Sequence, residues 1–546
     1  MVEQKRCFGV MLDCSRNAVM TVERLKDFIC DLEKMGYNSL QLYTEDTYEV
    51  EGEPLFGHMR GRFSKAELKE IDAFASQHGI EVIPCIQTLA HVNQLFIWQK
   101  YRELRDCADI LLAGDEKTYE LIEKMFATYA ECFKSRTINI GMDEAALLGA
   151  GEYMEANGYR PRFDIILDHL NRVAKIGKRF GYRMIMWSDM FFRIVNGGLY
   201  YGPKCVIPDD VKKKIPENVE LCYWDYYHED KQTYDDMIDS HLTFGKNLWF
   251  AGGAWKWLGF QSGNQKTFDT TLPAIKSCNE RGVKDIFITM WGDNGAECPA
   301  YAALPGVLYA AECIKGNFDL QDCKKRFKEL FDEDWDDFML LDLTMPEDIP
   351  LHGEDTCGAK EMLYADPFLG KYDYCVLGNG REVAVYRDYA QKLAAAKKRS
   401  KRFAYIFESY EKLCRLMAVK YDLGYRTKTA YQAGDKKALK AIQKDYVKGV
   451  KLAEDFLVAY RKMWFTDSKP HGFDVQDIRI GGVIQRLKSC GQRLADYLKG
   501  KVDKIAELEE PMVNPYIGSK ADKEGEKGKG VPCSNLYVPN ASVNAI

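Results

Sequence analysis

Long apolar runs are missing from this chain of 546 residues. None approaches the roughly 18 residues that a spanning helix needs, so no spanning helix is expected. Nor is a signal-peptide core expected, because Met1-Val-Glu-Gln-Lys-Arg6 leads into only a short apolar stretch. A strong charge of one sign is missing too: 76 Lys plus Arg stand against 82 Asp plus Glu, a net −6. That balance argues against nucleic acid or an anionic membrane surface as the main partner. Histidine is scarce, with 8 in the chain, and no Cys-x-x-Cys or His-x-His spacing marks a zinc site. No metal and no organic cofactor are expected. The 17 cysteines are odd in number and lack a disulfide-framework pattern. They read as reduced thiols of a cytoplasmic protein. Internal repeats are lacking as well. Aromatic residues, in contrast, are plentiful at 12%, with 32 Tyr and 9 Trp.

The first 315 residues alternate short apolar runs with amphipathic helical stretches. The runs are Phe8–Leu12, Ser39–Tyr43, Ile80–Ile86, Thr137–Ile140, Met184–Met186, Val219–Tyr223, Leu248–Ala251 and Asp285–Thr289. Helical patterns follow them, including Thr21–Met35, one from Ser64 with Glu67 completing a capping box, and one continuing from Ile86 to Phe133. Eight strands, each with its helix, are what a closed parallel barrel requires. The predicted fold is α/β: a (β/α)8 TIM barrel over 1–318, then a C-terminal α-helical domain. A connecting segment is expected over 319–380, the helical domain over 381–510 and an irregular tail over 511–546. The basic run Lys397–Arg402 reads as a solvated helix face. Asp332-Glu333 reads as an exposed acidic pair.

In such a barrel the reactive side chains sit at the C-terminal strand ends and in the loops after them. Read in order, these positions hold Asp13 and Arg16, Glu45 and Asp46, Gln87 and His91, then Asp143 and Glu144. Trp187 and Asp189, Trp224 with Asp225, Tyr226 and Tyr227, Trp255 and Trp257, and Trp291 with Asp293 complete the set. Indole faces pack against the C–H faces of a pyranose, while carboxylates and Arg take its hydroxyls. The joint pattern points to a carbohydrate pocket. Asp143-Glu144 is its sharpest feature. Two sequence neighbours seldom straddle a glycosidic bond, whose cleavage usually needs carboxyl groups about 5–10 Å apart. They can serve a substrate-assisted reaction, in which the sugar's own 2-acetamido oxygen attacks. His91 reads as a relay or orienting group beside Glu144, or as a satisfied core residue.

These residues resemble glycoside hydrolase family 20, the β-N-acetylhexosaminidases. Ile138-Asn-Ile-Gly-Met-Asp-Glu144 is similar to the family's His-x-Gly-Gly-Asp-Glu signature, and Met11-Leu-Asp-Cys-Ser-Arg16 to its Leu-Asp-x-x-Arg opening. Ile83-Pro-Cys-Ile-Gln-Thr-Leu-Ala-His91 resembles Ile-Pro-Glu-x-x-x-Pro-Gly-His, and Trp291-Gly-Asp293 resembles Trp-Gly-Glu. The resemblance implies an exo-acting, retaining enzyme that releases terminal non-reducing β-linked GlcNAc or GalNAc from oligosaccharides or glycoconjugate glycans. It gives Glu144 the role of general acid and base, and Asp143 that of holding the acetamido N–H. Arg16 grips hydroxyls, Trp187, Trp224 and Trp255 or Trp257 wall the acetamido pocket, Trp291 stacks under the ring, and Asp293 takes the distal hydroxyls. A Tyr, here Tyr227 ahead of Tyr226, bonds the acetamido oxygen.

Departures from the pattern are Asn139 for His, Met142 for Gly and Asp293 for Glu. No α/β domain is expected ahead of Phe8. The arrangement resembles intracellular bacterial members whose helical domain shapes the site or a homodimer, with Gly472–Arg479 as an irregular lip. Two rivals stand beside this reading. One is another barrel glycosidase, pairing Asp143 or Glu144 with Asp293. The other is a sugar-binding barrel without catalysis.

Overall fold

The computed structural model describes residues 6–202, 205–347, 349 and 357–513. Eight parallel strands close into a barrel: β1 Phe8–Asp13, β2 Ser39–Tyr43, β3 Glu81–Cys85, β4 Thr137–Asn139, β5 Arg183–Trp187, β6 Val219–Trp224, β7 Leu248–Gly253 and β8 Asp285–Met290. Each pairs with its sequence neighbours, and β1 pairs with β8 through registers such as Leu12↔Met290. Every residue of β1, β2, β7 and β8 is buried. That explains why these strands read as largely apolar runs, with Ser39, Gln41, Asp285 and Thr289 buried among the apolar residues: a barrel strand faces side chains inside and helices outside. The capping box is present, with Ser64 Oγ accepting from Glu67 N–H at 3.1 Å and Glu67 Oε2 from Ser64 N–H at 2.7 Å.

The segment after β3 departs from the helix expected up to Phe133. It makes two 3-10 turns, Leu95–Ile97 and Gln99–Leu104, then a small hairpin of Arg105–Cys107 and Ile110–Leu111. Only Glu116–Cys132 is α-helical. Leu89, Leu95, Phe96, Leu104 and Leu111 imitate a helical stripe, yet they are buried by folding onto the barrel mouth. Leu111 N–H bonds the Leu89 carbonyl at 2.7 Å, which pins the hairpin there.

Beyond the barrel the chain is helical. Residues 319–380, expected to connect, carry helices Leu320–Phe331, Trp335–Met339 and Gly358–Tyr364. Trp335 stacks on the barrel residue Phe268 at 5.4 Å, and Phe338 packs edge-on against Phe403 and Phe407. The segment is therefore a packing layer. Helices Arg381–Arg399, Ala404–Lys420, Leu423–Gln432, Lys436–Asp467 and Phe473–Leu498 follow.

The basic run lies at the surface, with Lys398, Arg399 and Lys401 exposed, and ion pairs join Lys397 to Glu411, Arg399 to Asp337, Lys401 to Asp332 and Arg402 to Asp31. One surface expectation is corrected. Glu333 is buried, accepting from the N–H groups of Lys401 and Arg402, so only Asp332 of that acidic pair is exposed. Most of the tail, 514–546, lies outside the described residues. All sixteen described cysteines are free, and no described helix is long and apolar enough to cross a membrane.

Candidate active site

A cavity of about 610 Å³ opens at the C-terminal mouth of the barrel. Arg16, Tyr43, Glu45, His91, Asp143, Glu144, Trp187, Trp224, Tyr226, Tyr227, Trp257, Trp291 and Asp293 line it. The side chains read from separate strand ends thus converge on one space. The backbone there is unusual. Glu45, His91, Met142 and Glu144 have φ of +44°, +57°, +70° and +51°, a region that costs an L residue about 1–2 kcal/mol. Strain gathered at one mouth marks a site whose geometry the surrounding structure imposes. Met142 stands where the resembled signature has Gly, and its positive φ is the reason a Gly suits that position. Gly141, at φ +73°, has no room for a Cβ, which would run into the Gln87 side chain.

Asp143 is buried and held from two sides. Gln87 Nε2 donates to one oxygen at 2.8 Å, and His91 Nε2 lies 3.2 Å from the other. Gln87 also donates to Tyr43 Oη at 2.9 Å, Tyr43 donates to Glu45 at 2.9 Å, and Glu45 pairs with Arg16 at 3.1 Å. One chain of contacts therefore runs from Asp143 to the guanidinium of Arg16. Burial works against ionised Asp143, but the His91 charge and the bonds from His91 and Gln87 outweigh it and lower its pKa. The same pairing raises His91 to about 10 against the opposing effect of burial, so the pair is carboxylate and imidazolium at neutral pH. Burial raises Asp293, opposed by Arg16.

Glu144 is positioned differently. Its side chain is 47% exposed, with one oxygen 3.0 Å from Arg193 and the other 3.8 Å from His91 Nε2. Asp189 sits behind it, accepting from Glu144 N–H at 3.0 Å and from Arg193 Nε at 2.9 Å. Burial first, and the nearby Asp143 charge second, push Asp189 up to about 7.

Most of the predicted aromatic walls are in place. Trp291 donates its indole N–H to Tyr226 Oη at 3.0 Å and packs edge-on against Tyr43 at 4.8 Å. Lys256 fixes the Trp291 carbonyl at 3.1 Å. Trp187 is buried, and its indole N–H has no hydrogen-bond partner among the described residues. Trp255 is the correction. It does not line the cavity: its N–H goes to the Tyr226 carbonyl at 2.8 Å, and it stacks behind Trp257 at 4.3 Å. On a regular strand residues two apart would share a face, but the chain leaves β7 at Gly253 and bridges back to Gly263 at Trp255, and beyond that bridge the two indoles part. Tyr226 and Tyr227 both reach the cavity, as the pair of alternatives allowed.

Several lining residues escaped the reading of the sequence. Asn93, Gln94, Ala108 and Asp109 come from the excursion after β3. Asp109 accepts from His91 N–H at 3.1 Å. Residues 89–113 hold no Gly and no Pro to mark the turns, so only tertiary packing reveals the excursion. Arg193, four residues after Asp189 on helix Asp189–Val195, was equally open to an i,i+4 reading and was missed. Gly472–Arg479 is not irregular: Phe473 starts a helix that runs to Leu498. Among the described residues no group of His, Cys, Asp and Glu is arranged to hold a metal.

The family model described as "Glycosyl hydrolase family 20, catalytic domain" matches residues 8–271, and "Glycoside Hydrolase 20C C-terminal domain" matches 336–527. Hexosaminidase D of Bos taurus is 27% identical over 206 residues, covering 35% of this chain and 55% of that protein. Hexosaminidase D of Homo sapiens is 25% identical over 204 residues, covering 35% and 39%. The matched part thus spans about half the length of these relatives or less. A solved structure of the exo β-N-acetylglucosaminidase from Vibrio harveyi with N-acetylglucosamine aligns at a TM-score of 0.45 and 16% identity, over 62% of this chain and 59% of that one.

Proposed function

We propose that this chain, which belongs to glycosyl hydrolase family 20, is an exo-acting, retaining β-N-acetylhexosaminidase that uses the acetamido oxygen of its substrate as nucleophile. The observation that carries the reading is the unequal setting of two adjacent carboxyl groups. Asp143 is buried, ionised and held by Gln87 and His91, whereas Glu144 stands half-exposed at the mouth. A fixed buried carboxylate suits orientation, and an accessible one suits proton transfer.

In the proposed cycle Asp143 accepts a hydrogen bond from the acetamido N–H and turns the carbonyl oxygen towards the anomeric carbon. Glu144 donates its proton to the glycosidic oxygen as that bond breaks, and the acetamido oxygen forms the new bond to carbon. The leaving alcohol departs with the proton. Asp143 offsets the positive charge that develops on the cyclised oxazolinium. Glu144, now a carboxylate, takes a proton from water, and the resulting hydroxide equivalent opens the ring. Two inversions leave the β configuration retained. Preorganising a nucleophile inside the substrate can remove several kcal/mol of barrier.

Binding follows from the walls. Trp291 offers a face to the ring, Trp187, Trp224 and Trp257 enclose the acetamido group, and Arg16 and Asp293 take hydroxyls. Tyr227 is the proposed donor to the acetamido oxygen. Cytoplasmic residence and action on a glycan with terminal N-acetylhexosamine belong to the same proposal. Release of p-nitrophenol from its N-acetyl-β-glucosaminide, but not from the plain β-glucoside, is the expected result. Equal hydrolysis of both would favour the two-carboxylate rival, and hydrolysis of neither would favour a binder.

A further inference from the structure

The loop that carries Asp293 is held from outside the barrel. Its start is tied to β1, where Gly292 N–H donates to Asp13 at 2.8 Å. The next residues, Asn294, Gly295 and Ala296, all have positive φ, at +59°, +97° and +53°. Two of these three carry a Cβ, and L side chains resist that conformation. Something must hold it.

The grip comes from helix Phe473–Leu498 of the C-terminal domain. Arg479 Nη1 donates to the Asn294 carbonyl at 2.7 Å and to Glu297 at 2.9 Å, and Gln476 Nε2 donates to the Gly295 carbonyl at 3.0 Å. Both side chains are buried. Glu297 is itself buried and is also paired with Lys360 at 2.7 Å and Tyr364 at 2.8 Å, again from beyond the barrel. Asn294 lines the same cavity as Asp293. With one methylene fewer than Glu, Asp293 has less side-chain freedom to absorb a backbone shift, so any movement of this loop is passed to its carboxylate.

Resting on the glycosidase reading above, we propose that Arg479 and Gln476 are positioning residues through which the helical domain places Asp293 against the distal hydroxyls and thereby sets the preference between gluco- and galacto-configured N-acetylhexosamines. The two sugars differ only in the direction of one hydroxyl, so a carboxylate displaced by a fraction of an ångström favours one over the other. Arg479→Lys keeps a cation for Glu297 but cannot span both acceptors. Gln476→Met keeps volume and removes the donor.

The test measures kcat and KM of the full-length protein and both variants on the aryl β-N-acetylglucosaminide and β-N-acetylgalactosaminide, with amide exchange of the peptide holding 292–297. We expect the ratio of kcat/KM for the two sugars to shift by at least about fivefold, the scale of one lost hydrogen bond, mainly through KM. The Ala296 N–H, bonded to the Gly292 carbonyl at 2.7 Å, should exchange faster in both variants. General destabilisation would lower both substrates together, so an unchanged ratio overturns the proposal. Should Arg479→Lys fail to fold, Gln476→Met decides alone. Were the wild type to cleave neither sugar, the glycosidase reading would fall, and exchange would judge the positioning claim: faster supports it, unchanged refutes it.

Discussion

Nε2 of His91 lies 3.2 Å from an Asp143 carboxylate oxygen, and the strained backbone of His91 holds it there at φ +57°. That contact makes an ion pair out of two groups that burial alone would neutralise. Its consequences can be measured.

The first concerns pH. His91 is raised in the folded protein to about 10 from an ordinary 6.5, so its contribution to stability is full below 6.5 and is lost as pH rises through 10. Asp143 is lowered, so its contribution is present above its ordinary 3.8 and is lost as pH falls through the folded value. Chemical denaturation of the wild type should therefore show an alkaline loss of stability that His91→Asn lacks. An imidazole titrating near 6.5 by NMR would break the pairing argument.

Asp189 predicts the opposite sign. Raised to about 7 from 3.8, it binds a proton more tightly folded than unfolded. Its ionisation therefore erodes stability as pH rises between those values, and the cost is complete above 7. Asp189→Asn keeps an acceptor for Glu144 N–H and removes the charge. It should gain stability relative to wild type at pH 8 compared with pH 5. A gain no larger at pH 8 would mean that Asp189 is not strained by its charge.

Glu144→Gln should keep the fold and lose turnover on a natural disaccharide by about 10²–10⁴-fold, the usual contribution of a general acid. A nitrophenyl leaving group needs little protonation, so its first step should suffer less. Comparable losses on both substrates would take the acid role away from Glu144.

The aromatic walls predict exo action. Trp187, Trp224, Trp257 and Trp291 line the cavity, and the proposed function has them enclose one terminal sugar. A chitooligosaccharide should release monosaccharide from its non-reducing end from the first time point by chromatography. Early internal fragments would indicate an open cleft. Trp257→Ala should reduce kcat/KM by about tenfold through lost ring contact.

Much of this was legible because barrel strands such as Phe8–Asp13 and Asp285–Met290 are buried on both faces, which leaves an apolar run in the sequence. Strand ends could then be counted, and with them Arg16, His91, Asp143, Glu144 and the tryptophans. Illegible were features made by tertiary contact. The Leu89–Leu111 excursion imitates a helix because its leucines are spaced for one, while their burial depends on the barrel mouth. Which of Trp255 and Trp257 turns inward rests on a single backbone direction. The grip of Arg479 on Asn294 joins residues far apart in the chain and leaves no local pattern.

The account turns on Asp143 orienting an acetamido nucleophile. Inhibition by a thiazoline mimic of the cyclised intermediate, compared between wild type and Asp143→Asn, tests that most directly. Loss of a charge-assisted hydrogen bond should weaken binding in the variant by about 10–100-fold, with the wild type inhibited at far lower concentration than by the free sugar. Equal inhibition of the two proteins, or a thiazoline no better than the free sugar on the wild type, would contradict it.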